Sequence, residues 1–193
     1  ERTRRAHEEP VISRFSSAGK WLKAKVARRR CKMFALAREV IREQSPSHSV
    51  HVLDVGCGGG GLMETLHHRF AQFGRRIIPY GIKANARLQQ FGGRAVQACA
   101  LEGAKHFAPG GLDVIVMHSF LEHEQQPLAL LETLRPCLRD GGAVVLKVPN
   151  FNCLNRHIRG RKWCGFRYPD HVLYFTPRTL SVLAEQAGFK VVR

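Results

Sequence analysis

Acidic residues are scarce in this chain and unevenly spread. Its 193 residues hold 15 Asp and Glu against 31 Lys and Arg, a net charge of +16, and no acid falls between Glu64 and Glu102. A surplus of that size steers anionic partners towards the surface, whether nucleic acid, a phosphorylated substrate or an anionic lipid face. The charge is nonetheless dispersed, since residues 1–44 carry 13 basic and 5 acidic side chains and the remainder 18 and 10. Dispersed charge reads first as a solvated surface, which leaves nucleic acid as the less favoured partner. Also missing is any uninterrupted apolar run of membrane-spanning length, so no membrane span is expected. No signal-type apolar segment follows the basic N-terminus, and a cytoplasmic location is expected. The six cysteines (Cys31, Cys57, Cys99, Cys137, Cys153 and Cys164) include no Cys-x-x-Cys pair, and reduced thiols are expected. Nor do 193 residues leave room for a second catalytic domain, which disfavours a dehydrogenase with a separate substrate domain.

Against these absences stands a regular alternation of elements. Residues 1–12 read as a basic arm broken by Pro10, and residues 17–44 as an amphipathic helix. In that helix Leu22, Val26, Met33, Ala37 and Val40 recur at helical intervals, widened by Trp21, Phe34 and Ile41. It is either docked with a solvated basic face, the favoured reading, or laid over an anionic surface or the cofactor site. The expected division is therefore an arm and helix over 1–44 and a domain over 45–193. In the domain, strands are expected at 50–55, 77–82, 95–99, 112–117 and 143–148 and from Phe189 onward, with Pro79 bending or shortening the second. Helices are expected at 62–73, 86–91 and 127–138. A last helix is expected to begin with Thr176 as N-cap and Pro177, and to end at Ala187 before Gly188. This order implies an α/β, Rossmann-like fold with a mainly parallel sheet and helices on both faces. About twenty residues after Pro149 lack the pattern and read as a functional loop rich in Arg and aromatic residues.

The most informative stretch is Val52-Leu53-Asp54-Val55-Gly56-Cys57-Gly58-Gly59-Gly60-Gly61, where an apolar strand meets an acid and then breaks into glycines before a helix. Glycine reaches positive φ without strain and lets a ligand approach the turn backbone. The free N–H groups of the helix that follows suit an anionic end of that ligand. Taken alone, Gly56-x-Gly58-x-x-Gly61 also satisfies the dinucleotide fingerprint. The landmarks that separate the two readings lie downstream: Leu121-Glu122-His123, Pro149-Asn150, and His171 followed by Phe175-Thr176-Pro177.

With these in order, residues 48–193 resemble class I S-adenosylmethionine-dependent methyltransferases, most of all the subgroup whose motifs read Leu-Glu-His, Pro-Asn and His with Phe-Thr-Pro. The resemblance implies a seven-strand-type sheet whose last strand is not expected within this chain, which reads as part of a longer protein. It implies S-adenosyl-L-methionine as cofactor and methyl transfer to an oxygen or nitrogen of a small-molecule acceptor of quinone, glycan or secondary-metabolite type. By position, it implies that Asp54 orients the cofactor's amino group and that Gly56, Cys57, Gly58 and Gly60 accommodate its methionine part. Lys83 falls at the ribose, and Ala100, Leu101, His118 and Ser119 fall around the adenine. Lys83 departs from the family, which places an acid there to accept from both ribose hydroxyls; lysine has donors only, and Asn85 can accept one. Two rivals stay open on that account: a single-domain NADP-dependent reductase whose 2′-phosphate meets Lys83, and a weakened methyltransferase-like module that holds nucleic acid.

Methyl transfer asks the protein to align donor and acceptor and to exclude water, and it needs a base only when the acceptor arrives protonated. His123 and His171 are the candidate bases, each also readable as a structural histidine bonded to loop backbone. Glu122 is expected to position its neighbour or close the loop. Some members of the resembled group bind a divalent cation through acids near this motif. Ser119 stands where one such acid belongs, and no metal site is expected. The spacing of Cys153, His157, Cys164 and His171 fits no compact zinc module either. Trp163, Phe166 and Tyr168 are expected to stack on a flat acceptor or a sugar face, with Arg159, Arg161 and Lys162 meeting anionic groups.

Overall fold

Parallel strands form the centre of the structure, and their order places two chain turns side by side. The computed structural model describes residues 35–42, 49–58, 60–71, 74, 76–82, 89 and 92–192. Its sheet contains β1 (Ser49–Val55), β2 (Arg76–Ile82), β3 (Arg94–Val96), β4 (Leu112–His118) and β5 (Leu138–Lys147), in the order β3-β2-β1-β4-β5 with all neighbours parallel. After β3 the chain returns to the far side of β1, so the carboxyl ends of β1 and β4 diverge into a crevice, the place where open α/β sheets bind ligands.

The helices are α1 (residues 35–42), α2 (Gly61–Ala71), α3 (Ala100–Ala104), α4 (Pro127–Leu134), α5 (Leu154–Arg159) and α6 (Pro177–Gln186). Because side chains alternate along a strand, β1 and β4 feed two cores. Leu53, Val55, Ile115 and Met117 pack with Leu130, Leu131 and Leu134 of α4. Val50, Val52, Val114 and Val116 pack with Met63, Leu66 and Phe70 of α2 and with Ala37 and Ile41 of α1. Each fully buried leucine of α4 contributes about 1.5–3 kcal/mol relative to exposure. Ala37 and Ile41, four residues apart and both fully buried, dock α1 onto the domain. The rest of the helix expected over 17–44 and the short helix expected over 86–91 lie outside the described residues, apart from Gln89.

Several expected boundaries are corrected. β2 is not short: Pro79 sits in the full seven-residue ladder with β1, opposite Val52, and β3 begins to pair only at Tyr80, so among the described residues no second strand flanks the proline. β3 ends at Val96 rather than Cys99, because α3 starts at Ala100 with Cys99 as its N-cap. The helix expected to reach residue 138 ends at Leu134 and tightens into a 3₁₀ turn, Arg135–Cys137, since Pro136 has no N–H to give the helical ladder. β5 begins five residues before the expected Ala143. Leu138 already pairs with Leu112, and Arg139-Asp140-Gly141-Gly142 then bulges out before Ala143 meets Val114. Gly142 fits there because a Cβ would stand 2.9 Å from the Arg139 carbonyl oxygen and 3.1 Å from that of Asp113.

The expected loop after Pro149 contains α5 and a 3₁₀ turn, Gly160–Lys162. α6 begins as expected, with the Thr176 hydroxyl accepting from Thr179 N–H at 3.1 Å and the Thr179 hydroxyl accepting in return from Thr176 N–H at 2.9 Å. Residues 189–192 pair with no strand among the described residues, so the strand expected from Phe189 is not formed there. No helix among the described residues is long and apolar enough to cross a membrane. The described cysteines Cys57, Cys99, Cys137, Cys153 and Cys164 form no disulfide.

Candidate active site

The glycine turn after β1 forms one wall of the crevice. Gly56 N–H donates to Ile82 carbonyl oxygen at 3.1 Å, which carries the β1–β2 ladder one step past the strand end, and its φ is +76°. Gly60 donates to Cys57 carbonyl oxygen at 2.9 Å and accepts from Glu64 N–H at 3.0 Å, launching α2. Gly58, exposed and at φ +50°, has open space where a Cβ would stand. Among the described residues, nothing therefore fills the approach to the turn at that point. The three N–H groups at the start of α2 that intrahelical bonding leaves over are available at this wall. Asp54, 3% exposed, sits at the end of β1. Burial pushes its carboxyl up to about 7. An acid so placed suits a cationic partner, which would restore its ionised form. The open cradle and the buried acid together fit the methionine end of S-adenosylmethionine.

The opposite wall follows β4. His118 and Lys147 are register partners across β4 and β5, with the Lys147 ammonium donating to His118 Nε2 at 2.9 Å. Ser119 donates its N–H to Lys147 carbonyl oxygen at 2.8 Å while holding φ +53°, the one described non-glycine residue in that region. Backbone of this kind concentrates at functional sites. Phe120 then packs against the glycine turn, and Leu121–His123 forms a 3₁₀ turn with Leu121 and Glu122 buried and His123 exposed.

That turn is tied to the loop before α6. Glu122 carbonyl oxygen accepts from Val172 and Leu173 N–H at 3.0 and 3.1 Å. His123 Nδ1 lies 2.6 Å from Asp170 carbonyl oxygen, and His171 Nδ1 lies 2.8 Å from Gly165 carbonyl oxygen. A carbonyl only accepts, so each Nδ1 carries the proton and each Nε2 is left as the basic nitrogen. The rings meet edge to face with centroids 4.7 Å apart. Glu122 is 1% exposed and neither carboxylate oxygen has a hydrogen-bond partner. Burial raises its carboxyl above the ordinary range, opposed by its own backbone N–H and by the charges of His123, His171 and Lys147.

The loop itself is an aromatic cluster. Phe151 lies 6.1 Å from Trp163, 6.0 Å from Phe166 and 5.5 Å from Tyr174 between ring centroids, and Arg156 stacks over Phe151 at 4.2 Å. Trp163 is 4% exposed, with Phe151 and Phe166 on its edges and Gly165 against its six-membered ring. Its expected stacking on an acceptor is thereby corrected, because the ring is buried within the cluster. Tyr168, 90% exposed, and Phe166 and Tyr174, partly so, remain open.

Of the residues expected at the site, Asp54, Gly56, Cys57, Gly58, Gly60, His118, Ser119, His123 and His171 stand at the carboxyl ends of the strands or on the loops that leave them. Ala100 instead turns its side chain into the core, and Leu101 is half-buried in the first turn of α3. Lys83 and Asn85 lie outside the described residues. Sequence reasoning missed Phe120 as the contact that joins the two walls. It also left open how Glu122 sits, although an acid next to Phe120-Leu121 is a signal for a buried carboxyl.

Residues 21–193 match the family described as methyltransferase domain. The chain is 34% identical over 132 residues to the ubiquinone biosynthesis O-methyltransferase of Idiomarina loihiensis, covering 66% of this chain and 51% of that protein. It is 29% identical over 151 residues to the enzyme of the same name from Aeromonas salmonicida, covering 72% and 63%. The chain thus spans about half to two thirds of these relatives. Its fold is similar to that of a SAM-dependent methyltransferase from Archaeoglobus fulgidus, at a TM-score of 0.60 and 24% identity over 83% of this chain and 69% of that one. It is similar, too, to the [4+2]-cyclase SpnF, at a TM-score of 0.56 and 18% identity over 83% and 59%. One fold therefore carries more than one chemistry.

Proposed function

The chain belongs to the methyltransferase-domain family, and on that premise we propose that it transfers a methyl group from S-adenosyl-L-methionine to an oxygen, or a nitrogen, of a small-molecule acceptor. The observation that carries this reading is the contact of Phe120 with Gly56, which sets the Leu121–His123 turn beside the glycine cradle. Cofactor cradle and candidate base thereby share one edge of the sheet. The cofactor, when bound, supplies a methyl on a sulfonium that leaves by in-line displacement. Asp54 meets its amino group, the backbone of Gly56, Cys57, Gly58 and Gly60 receives its methionine part, and the first turn of α2 meets its carboxylate.

The backbone around His118 and Ser119 borders the adenine side, with Leu101 at the edge of α3. Lys83 belongs to the ribose in this reading, as a donor. His123, exposed and held in one tautomer by Asp170, takes the proton when the acceptor arrives as a hydroxyl or amine, with His171 buried behind it. Phe166, Tyr168 and Tyr174 present faces to a flat acceptor, and the exposed Arg159, Arg161 and Lys162 suit an anionic one. The names of the relatives support oxygen as the methylated atom and a quinone-type ring as the acceptor class. Free thiols suit a cytoplasmic setting for this work.

Calorimetry against S-adenosylmethionine, S-adenosylhomocysteine and NADPH, followed by mass detection of methylated products across hydroxylated aromatic rings, tests the reading. Binding of the first two ligands and a gain of one methyl group on an acceptor are expected. NADPH binding without the others would establish the reductase instead. Binding of none, with retention of single-stranded RNA, would establish the nucleic-acid module.

A further inference from the structure

Three proton-accepting groups converge beneath the Leu121–His123 turn. A carboxylate oxygen of Glu122 and one ring nitrogen each of His123 and His171 all lie within 4.8 Å of one another. Both Nδ1 hydrogens are committed to backbone carbonyls, so each neutral imidazole has only a lone pair left to offer. Glu122 offers two carboxylate oxygens, neither with a partner. With both rings neutral and the carboxylate ionised, the corner has acceptors and no hydrogen among its three members. A buried polar group left in that condition destabilises the fold. A single proton converts the mismatch into a charge-assisted pair.

The charges that face Glu122 come from every side. His123 shares its turn, His171 comes from the loop before α6, and Lys147 comes from β5, where its ammonium also serves His118. On the outer side, Asp170 pairs with Arg167 at 3.7 Å on the exposed surface. The buried position of Glu122 makes its field on the imidazoles stronger than a surface acid would exert.

We propose that Glu122 is the positioning residue of this site: its carboxylate holds a proton on the His123–His171 pair, so that the three groups bind it as one unit. The proposal rests on the methyl-transfer reading for its use. As the acceptor atom takes the methyl group, its O–H or N–H bond breaks and the proton passes to His123. The resulting imidazolium is held against Glu122 until solvent removes the proton. A carboxylate beside an imidazole favours its charged form over the neutral one.

Nuclear magnetic resonance of ¹⁵N-labelled histidine rings in the whole chain reads the unit without any turnover. Glu122→Gln keeps the shape and removes the charge. It should lower the titration midpoint of at least one of the two rings by about one pH unit, a tenfold loss of proton affinity. Glu122→Asp should restore half of that shift or more. Midpoints unmoved in a folded Glu122→Gln protein would overturn the proposal.

If that variant does not fold, the native Glu122 carboxyl, labelled with ¹³C, decides the matter. It should titrate in steps shared with the imidazoles, and a single step independent of them would overturn the proposal. The acid limb of the pH–rate profile should move with the imidazole midpoints. Ring midpoints that move in a protein that methylates nothing would remove the methyl-transfer reading and leave the proton unit standing. Active enzyme with unmoved midpoints would do the reverse.

Discussion

Gly56 and Phe120 pack so closely that a Cβ on the glycine would stand 2.1 Å from Phe120 Cδ2. The backbone at 56 is also held at φ +76°. Two strands' ends are thus locked together by the absence of a side chain on one and the presence of a ring on the other.

Gly56→Ala should therefore fail as a fold mutation. Overpacking costs about 1–3 kcal/mol, and the positive φ adds to it. Chemical denaturation should show the loss, and Phe120→Ala in the same chain should recover part of the steric share. Two losses that simply add would show that the ring is not what opposes residue 56.

Gly58→Ala should fail differently. No atom of the described residues lies within 4 Å of its would-be Cβ, so the φ of +50° is the cost to stability, about 1 kcal/mol. The methyl group instead enters the space proposed for the cofactor. S-adenosylhomocysteine affinity should fall at least tenfold while the thermal transition stays cooperative. An unchanged affinity would remove the turn from the cofactor site.

Asp54 makes stability depend on pH. Burial pushes its folded carboxyl up to about 7 from the ordinary 3.8, so between these values the folded chain holds a proton that the unfolded chain has released. This contribution is present in full below about pH 4, and it is lost as pH rises towards 7 at up to roughly 1.4 kcal/mol per pH unit. Above 7 it is level. Asp54→Asn has no such slope, so the native chain should lose stability relative to this variant between pH 5 and pH 8, as read by denaturant midpoints.

The same residue sets the sign for a cationic ligand. An amino group that pairs with Asp54 binds the ionised acid, so S-adenosylmethionine affinity should rise with pH up to about 7 and flatten above, with proton release on binding below it. Calorimetry in buffers of different ionisation enthalpy measures that release. Affinity that falls over this range would place the cationic group elsewhere.

Trp163 and Tyr168 should part company. Trp163→Ala opens a cavity in the aromatic cluster and should cost about 3–5 kcal/mol, read as lost order across the loop. Tyr168→Ala removes an exposed ring and should leave stability within about 0.5 kcal/mol. Its effect should appear in the acceptor's KM.

Much of this arrangement was legible beforehand because its causes are local. The alternation of β1 and β4, the glycine turn with Asp54, and the Thr176-Pro177 start of α6 each follow from steric or hydrogen-bonding rules that act over a few residues. The end of α4 and the start of β5 were misjudged for the opposite reason. Gly141-Gly142 does turn, as its residues require, but Leu138 joins the sheet because Leu112 offers it a ladder from 26 positions away. Trp163 carried a similar ambiguity, since a tryptophan suits a ligand face and a core equally well, and only Phe151 and Phe166 on its edges decided which.

The sequence by itself determined the family of the chain, the order of strands and helices, and the glycine cradle, because each depends on side-chain type at short range. Tertiary structure alone decided the rest. It placed Phe120 on Gly56, carried His171 to within 4.7 Å of His123 between ring centroids, and left Glu122 buried with two unpartnered oxygens beside them. These positions are 64, 48 and 49 residues apart in the chain. Nothing in the local backbone preference of either partner specifies the other, and they meet because the crossover from β3 to β4 brings the ends of β1 and β4 together while the loop returns over them to α6.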